Sequence, residues 1–254
     1  MINTKKTANN VRKKILISSF KAQSAHIASS LSIVDIITII YCEHLKKNDV
    51  FILSKGHACL AHYCLLNELK IISDKILSTY GKNNSILMSH SSHKVSGVNF
   101  STGSLGHGLP VSVGIALSNK IRKKKLKTFV LLSDGELNEG SNWEALLFAS
   151  HHKLNNLIIV IDYNKIQSLD FVRKTINLEP LKEKFLSFGC KVKSIDGHNL
   201  KQISKSLKNN TKRPLVILAN TIKGKGIKFM ENKILWHYKP PNKKEMEKGL
   251  KQLD

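Results

Sequence analysis

Apolar residues recur at three- and four-residue intervals in NNVRKKILISSFKAQ, SIVDIITIIYCEHL and HACLAHYCLLNEL. That spacing puts them on one face of a helix and predicts three helices in the first part of the chain. Between the second and third lies DVFILS, a short apolar run that reads as a strand. From Val111 the pattern alternates: helix VSVGIALSNKI, strand KTFVLL, helix NWEALLFASHH, strand LIIVID, helix PLKEKFLSFG, strand CKVKSI, helix LKQISKSLK and strand PLVILAN. Apolar strands separated by helices of about ten residues predict an α/β fold whose open parallel sheet has helices on both faces. No repeat or linker interrupts the chain, so one domain is expected over residues 1–254. Its first 48 or so residues form a helical part, and a loose basic tail follows from about residue 240. In folds of this kind ligands bind outside the carboxyl ends of the strands.

Composition narrows the class without naming a function. A chain of 254 residues, 41% hydrophobic and 23% charged, can bury a sizeable core. Its net charge of +23 invites a polyanionic partner. The lysines are spread along the chain, however, and the densest run, Arg122 to Lys125, sits at a predicted helix end with no recognition motif beside it. A nucleic-acid partner is therefore not indicated. Cys42, Cys59, Cys64 and Cys190 show neither a Cys-x-x-Cys pair nor zinc spacing, and they read as reduced thiols of a cytoplasmic protein. The basic start MINTKKTANNVRKK lacks a following apolar segment, and IVDIITIIY is short and carries Asp35. Neither a leader nor a membrane partner is expected.

Candidate chemistry collects where the fold puts ligands. SDGELNEGSNWEA, Ser133 to Ala145, follows the strand KTFVLL directly and brings four carboxylates, Asp134, Glu136, Glu139 and Glu144, to its carboxyl end. One crossover separates Asp134 from Asn164, just past the strand LIIVID, so the two side chains should emerge next to each other from parallel strands. A carboxylate, an amide oxygen and a nearby backbone carbonyl suit Mg²⁺; two polar caps at strand ends are the plainer alternative. Upstream, GSLGHGLP from Gly103 to Pro110 is a glycine-rich turn entering a helix, a place where backbone N–H groups can hold phosphate. His26, His57, His90, His107 and His237 fall in loops, where they could transfer protons, whereas His44, His62, His151 and His152 fall in predicted helices and read as packing or surface residues.

DGELNEGSNWEA followed by HHKLNNLIIVIDYNKIQ resembles the thiamine-diphosphate motif of transketolases, which opens Gly-Asp-Gly and closes on Asn. FILSKGHACLAHY, SGVNFSTGSLGHGLP and TIKGKGIKFMENKILWH are similar to three further transketolase blocks in the same order, so the match runs from about Lys21 to His237. The resemblance implies a thiamine-diphosphate-binding fold and ketol transfer between sugar phosphates. It implies that Asp134, Asn164 and the Ile166 carbonyl hold Mg²⁺, or Ca²⁺ or Mn²⁺ in its place, on the cofactor diphosphate. Cofactor binding would fall to His57, Gly103, Ser104, Leu105, Asp134, Gly135, Glu139, Asn164 and His237, and the catalytic positions would be His26, His90 and His237. Glu139 matches a glutamate that lies buried at a subunit interface in the family.

The chain departs from the family pattern at Ser133, where glycine is usual, at His107, where glutamine is common, and at Tyr238, where glycine is usual. Each leaves the metal ligands intact and puts substrate choice in question. After Tyr238 only KPPNKKEMEKGLKQLD follows, so the pyrimidine-binding domain of a complete transketolase would have to come from a separate C-terminal subunit. An α2β2 assembly is the simplest closed arrangement of two such pairs. Two alternatives stand beside this reading. One is a related thiamine enzyme, a ketoacid dehydrogenase α-subunit or a deoxyxylulose-phosphate-synthase-like protein, against which Glu136, Trp143 and Gln167 follow the transketolase version of the motif. The other is a non-catalytic basic binding protein on the same fold.

Overall fold

The protein is described by a computed structural model covering residues 3–208 and 210–254; Met1 and Ile2 of the basic start lie outside the described residues. In chain order the elements are α1 (Thr4–Ala22), α2 (Ile27–Ser32), α3 (Val34–Ile39) running into a π-helical turn at Ile40–His44, β1 (Val50–Leu53), α4 (Cys59–Glu68) and the short α5 (Asp74–Leu77). Then come α6 (Gly108–Ile121), β2 (Thr128–Ser133), α7 (Gly140–His151), β3 (Leu157–Tyr163) and the short α8 (Val172–Thr175). The chain ends with α9 (Leu181–Ser187), β4 (Lys191–Asp196), α10 (Leu200–Ser206), β5 (Leu215–Asn220) and α11 (Lys243–Leu253).

All strand pairs are parallel, and the sheet order is β1-β2-β3-β5-β4. Alternate strand residues feed two separate cores, as the two-residue period of a strand requires. Phe129, Leu131, Ile158, Val160 and Ile217 pack with the helices of the N-terminal part, α10 and α11, while Val130, Leu132, Ile159, Ile161 and Val216 pack under α6, α7 and α9. The central strands are buried along their length because both faces are covered. β4 is different: it lies at the sheet edge, and its lysines and serine are partly or fully exposed.

Every strand expected from the pattern is present, and they form the parallel α/β sheet that the alternation predicts. Four helices add to the expectation. Serine-rich α2 forms despite poor intrinsic propensity because all of its residues are buried, so tertiary packing overrides local preference. α5 and α8 are single turns too short to show a period.

The fourth, α11, corrects the expectation of a loose tail. Asn242 accepts from the Glu245 N–H and Glu245 accepts from the Asn242 N–H, both at 2.9 Å, which is a complete capping box. Met246, Leu250 and Leu253 then pack into the first core, and Gly249 rests against Leu16, where a Cβ would come within 2.7 Å of Cδ2. Few apolar residues among many lysines hid this face in the sequence.

Cys59, Cys64 and Cys190 are buried free thiols and Cys42 is half-buried. Burial pushes the Cys59 and Cys190 thiols up to about 12, so neither is poised to react. Among the described residues no helix is long and apolar enough to cross a membrane. Asn242→Ala should cost about 1 kcal/mol of stability by removing the cap. A denaturation midpoint unchanged from wild type would show that α11 is held by packing alone.

Candidate active site

The loops following β1, β2, β3 and β5 meet at the carboxyl edge of the sheet and enclose a cleft of about 270 Å³. His26, His57, His90, Gly103, Leu105, Asp134, Gly135, Asn164, Ile166 and His237 all line it. The sequence-predicted residues are thus brought together from widely separated segments. Gly56 allows two of these segments to touch, since a Cβ there would lie 2.4 Å from the Thr102 carbonyl oxygen.

Asp134 follows the last residue of β2, and Ser133 pairs in register with Asp162 of β3. The Asp134 carboxylate is fully buried and accepts from the Gly135 N–H at 2.8 Å and the Lys165 N–H at 2.5 Å. Lys165 takes a left-handed φ of 64°, which turns the chain so that its amide reaches Asp134. Asn164 and the Ile166 carbonyl flank that same turn, with Asn164 Oδ1 accepting from the Ile166 N–H at 3.1 Å. Burial, and then the nearby Asp162 carboxylate, push Asp134 up to about 7.

Sequence reasoning missed three residues on which this edge depends: Asp162, Lys55 and Lys223. Asp162 is fully buried and forms an ion pair with Lys55 at 2.6 Å, both side chains being almost completely hidden from solvent. Although burial pushes Asp162 upward, the Lys55 ammonium outweighs it and holds the carboxyl below its usual range. Lys223, also buried, donates to the Ile166 carbonyl at 3.0 Å and to the Gln167 carbonyl at 3.1 Å, and sits 3.0 Å from His237 Nδ1. Burial and the Lys55 charge bring Lys223 down to about 8. Lys55 and Lys223 both stand in segments quoted for the motif comparison, but 41 Lys and Arg residues left two more lysines without any distinguishing signal.

The histidines form a cluster. The His26 ring centroid lies 5.2 Å from that of His57, 5.0 Å from His237 and 6.3 Å from His90. His26 is held at φ 67°, an uncommon backbone conformation for a non-glycine residue, and its N–H donates to the His237 carbonyl at 2.7 Å. Burial, followed by the charge of His90, lowers His26 to about 4; burial, followed by Lys223, lowers His237 to about 3; burial and then Lys55 hold His57 well below the ordinary histidine value. These three rings are therefore neutral near pH 7. Because Lys223 can only donate, His237 Nδ1 accepts and its proton sits on Nε2.

Not every candidate reaches the cleft. Ser104 and Glu139 are exposed and lie outside its lining, Glu139 at the N-cap of α7. His107 is exposed at the N-cap of α6, whereas Ser133 and Tyr238 do face the cleft. The expectation that the amino end of α6 would hold phosphate is corrected by what blocks it. The Gly106 N–H donates to buried Glu136 at 3.0 Å, and a Cβ on Gly108 would come within 2.3 Å of Ser54 Oγ. That helix end is already filled by protein.

Among the described residues no group of three His, Cys, Asp or Glu side chains could hold a metal ion, so a cation here would need neutral oxygens beside one carboxylate. Asp134, Asn164 Oδ1 and the Ile166 carbonyl are oxygens of the kind that Mg²⁺ takes, although the Ile166 carbonyl here accepts from Lys223. Gln167 adds a further feature: among the described residues its buried Nε2 has no hydrogen-bond partner, and its side chain lies over Gly135, where a Cβ would be 3.0 Å from Gln167 Cγ. An orphaned donor lining a cleft that also holds a buried ammonium suits an oxygen-rich anion.

The family model described as transketolase, thiamine diphosphate binding domain, matches residues 3–253. The chain is 39% identical to an apulose-4-phosphate transketolase subunit of Actinobacillus succinogenes, covering 98% of this chain and 95% of that one. It is 34% identical to a 6-deoxy-6-sulfo-D-fructose transketolase subunit of Clostridium sp. strain MSTE9, covering 93% and 90%. Against human transketolase it is 32% identical over 98% of its own length but spans only 42% of that protein. A crystal structure of transketolase from Campylobacter jejuni superposes with a TM-score of 0.89 at 27% identity, covering 98% of this chain and 43% of that one.

Neutral buried histidines make a pH prediction. Unfolding releases His26, His57 and His237 to their ordinary value of 6.5, so below that pH the unfolded chain binds protons that the folded chain refuses. Their contribution is complete above about pH 6.5 and is lost as pH falls toward 4. Asp134, raised to about 7, and Glu136, also raised by burial, act in the opposite direction, but His44 and His62, lowered by burial like the three cleft histidines, keep the histidines in the majority. The thermal midpoint of the cofactor-free chain should therefore fall between pH 7 and pH 5. His237→Asn should flatten that fall by roughly one proton, as measured by thermal unfolding across the range.

Proposed function

Because the chain belongs to the transketolase family, as its thiamine-diphosphate-binding domain, we propose that it is the diphosphate-binding subunit of a two-chain transketolase acting on sugar phosphates. The observation that carries the reading is the cleft itself, where Asp134, Asn164, the Ile166 carbonyl, Lys223 and four histidines converge at one sheet edge. The chain spans less than half of human transketolase. Two relatives that it matches along 90% or more of their own length are named as subunits, and those names support a separate partner carrying the pyrimidine-binding domain. The two subunit relatives are named for different sugars, so the donor and acceptor are set by details such as Ser133 and Tyr238 at the cleft.

Asp134, Asn164 and the Ile166 carbonyl would hold Mg²⁺, or Ca²⁺ or Mn²⁺, against the cofactor's diphosphate. Thiamine diphosphate, when bound, supplies a thiazolium ring able to take up the electron pair released as a ketose carbon–carbon bond breaks. The chain's own groups bind and orient. Lys223 supplies positive charge for the anion and the Gln167 amide presents a donor to it, and Gly103 and Leu105 line the space for the rings. His237 offers a neutral Nε2–H to an oxygen in the cleft, His26 and His57 offer donors and acceptors there without carrying charge, and His90 lines the same space. Glu139, exposed on the single chain at the N-cap of α7, would be covered by a second copy in an α2β2 assembly.

Asp134→Ala should abolish Mg²⁺-dependent binding of thiamine diphosphate, because it removes the one charged ligand of the set. Asn164→Ala, which removes a neutral ligand, should be milder. Calorimetry showing wild-type affinity in the Asp134 variant would overturn the metal assignment. For the split-enzyme reading, the chain is purified alone and with the product of a candidate partner gene, and two-carbon transfer from a ketose phosphate to an aldose phosphate is measured. Activity only in the mixture is expected; full activity of the isolated chain would refute it.

A further inference from the structure

Asp35 is the one charge in IVDIITIIY, and the active site does not use it. It lies in α3, 6% exposed, and its Oδ2 accepts from the Arg12 guanidinium at 2.5 Å and from His198 Nδ1 at 2.8 Å. The other nitrogen of His198, Nε2, accepts from the Ile222 backbone N–H at 2.8 Å. An imidazole that accepts through Nε2 and meets a carboxylate through Nδ1 must carry its proton on Nδ1, so Asp35 fixes both the tautomer and the orientation of the ring. Burial pushes Asp35 upward, but the bonds from His198 and Arg12 outweigh it and hold the carboxyl below its usual range.

The same group grips the following residues. Arg12 Nε donates to the Lys225 carbonyl at 3.3 Å, and Gly226, at φ 100°, sits so close to Arg12 that a Cβ would be 2.9 Å from Cδ. On the cleft side, Thr221 Oγ1 donates to Asp162. Lys223 is the residue between these anchors, and its ammonium reaches Ile166, Gln167 and His237. A lysine tip sits on four flexible carbons, so its position is only as well defined as the backbone that carries it.

We propose that Arg12, Asp35 and His198 form a positioning unit that sets the backbone of residues 222–226 and thereby places Lys223 to receive an anionic oxygen group in the cleft. The inference rests on the diphosphate reading of that cleft given above. None of the three side chains lines the cleft itself; they act through Lys223. The unit also accounts for an acid buried in the most apolar run of the chain.

The test uses the full chain, inorganic pyrophosphate with Mg²⁺ as the probe, and three proteins: wild type, His198→Ala and His198→Gln. Glutamine keeps one donor and one acceptor at its tip, whereas alanine keeps neither. His198→Ala should bind pyrophosphate about tenfold more weakly, the size of effect typical of supporting groups around a bound ion, and His198→Gln should recover most of that loss. Amide hydrogen exchange read on the same samples should quicken over residues 221–226 in the alanine variant and remain as in wild type over α3. Equal affinity of wild type and His198→Ala, equal loss in both variants, or faster exchange throughout α3 would each overturn the positioning role while leaving the diphosphate reading in place. A wild-type chain that fails to bind pyrophosphate with Mg²⁺ would overturn the diphosphate reading and this inference with it.

Discussion

The buried ion pair between Lys55 and Asp162 is the constraint around which the functional edge is arranged. Removing both charges from water costs several kcal/mol for each ion, and the attraction between them repays this only when the remaining lone pairs and protons also find partners. Asp162 therefore draws in its surroundings. Ser32 at the end of α2 donates to it at 2.6 Å, Asn164 donates at 3.1 Å, and Thr221 beyond β5 completes the set. Lys55 adds a bond to the Ser29 carbonyl at 3.2 Å. Four chain segments are fixed to one another because one carboxylate at the end of β3 has to be satisfied.

That arrangement leaves the cleft with charges of both signs that are not paired with each other. Among the described residues, the ion pairs include neither Asp134 nor Lys223. Asp134 meets only backbone amides, and Lys223 meets two carbonyls and an imidazole. Both are displaced toward their neutral forms for the same reason, burial without a counter-ion. A ligand that brings a cation to Asp134 and an anion to Lys223 relieves both at once, and a metal–diphosphate unit has that pairing of charges. The neutral histidines around it add hydrogen bonds without adding a third charge.

The sequence disclosed the parts of this site that follow from chain order and failed where pairing in space decides. Alternating strands and helices made the parallel sheet legible, and a single crossover was enough to set Asp134 beside Asn164 because β2 and β3 are neighbours. Asp162 was read as the last residue of an apolar strand; nothing along the chain shows that Lys55 will lie against it. The role of Lys223 depends on β5 inserting between β3 and β4, an order that periodicity cannot give. The amino end of α6 looked open because glycines mark where backbone amides are accessible, yet the side chains of Ser54 and Glu136, distant in sequence, close it.

The margin of the cleft differs from its charged interior. Its floor is polar, but Tyr238 at its margin is 58% exposed, and Leu235 and Leu169, close in sequence to His237 and Ser168 of its lining, are 62% and 78% exposed. Single exposed apolar residues are ordinary on any surface. Were the partner proposed above to cover Tyr238 and these two leucines, the contact would remove apolar area from water and dry the charged floor together. Drying the floor strengthens every interaction of Asp134 and Lys223 with a bound ligand. A separate subunit seated on this margin would thus do more than add the pyrimidine-binding residues: it would lower the dielectric in which this chain's own groups act.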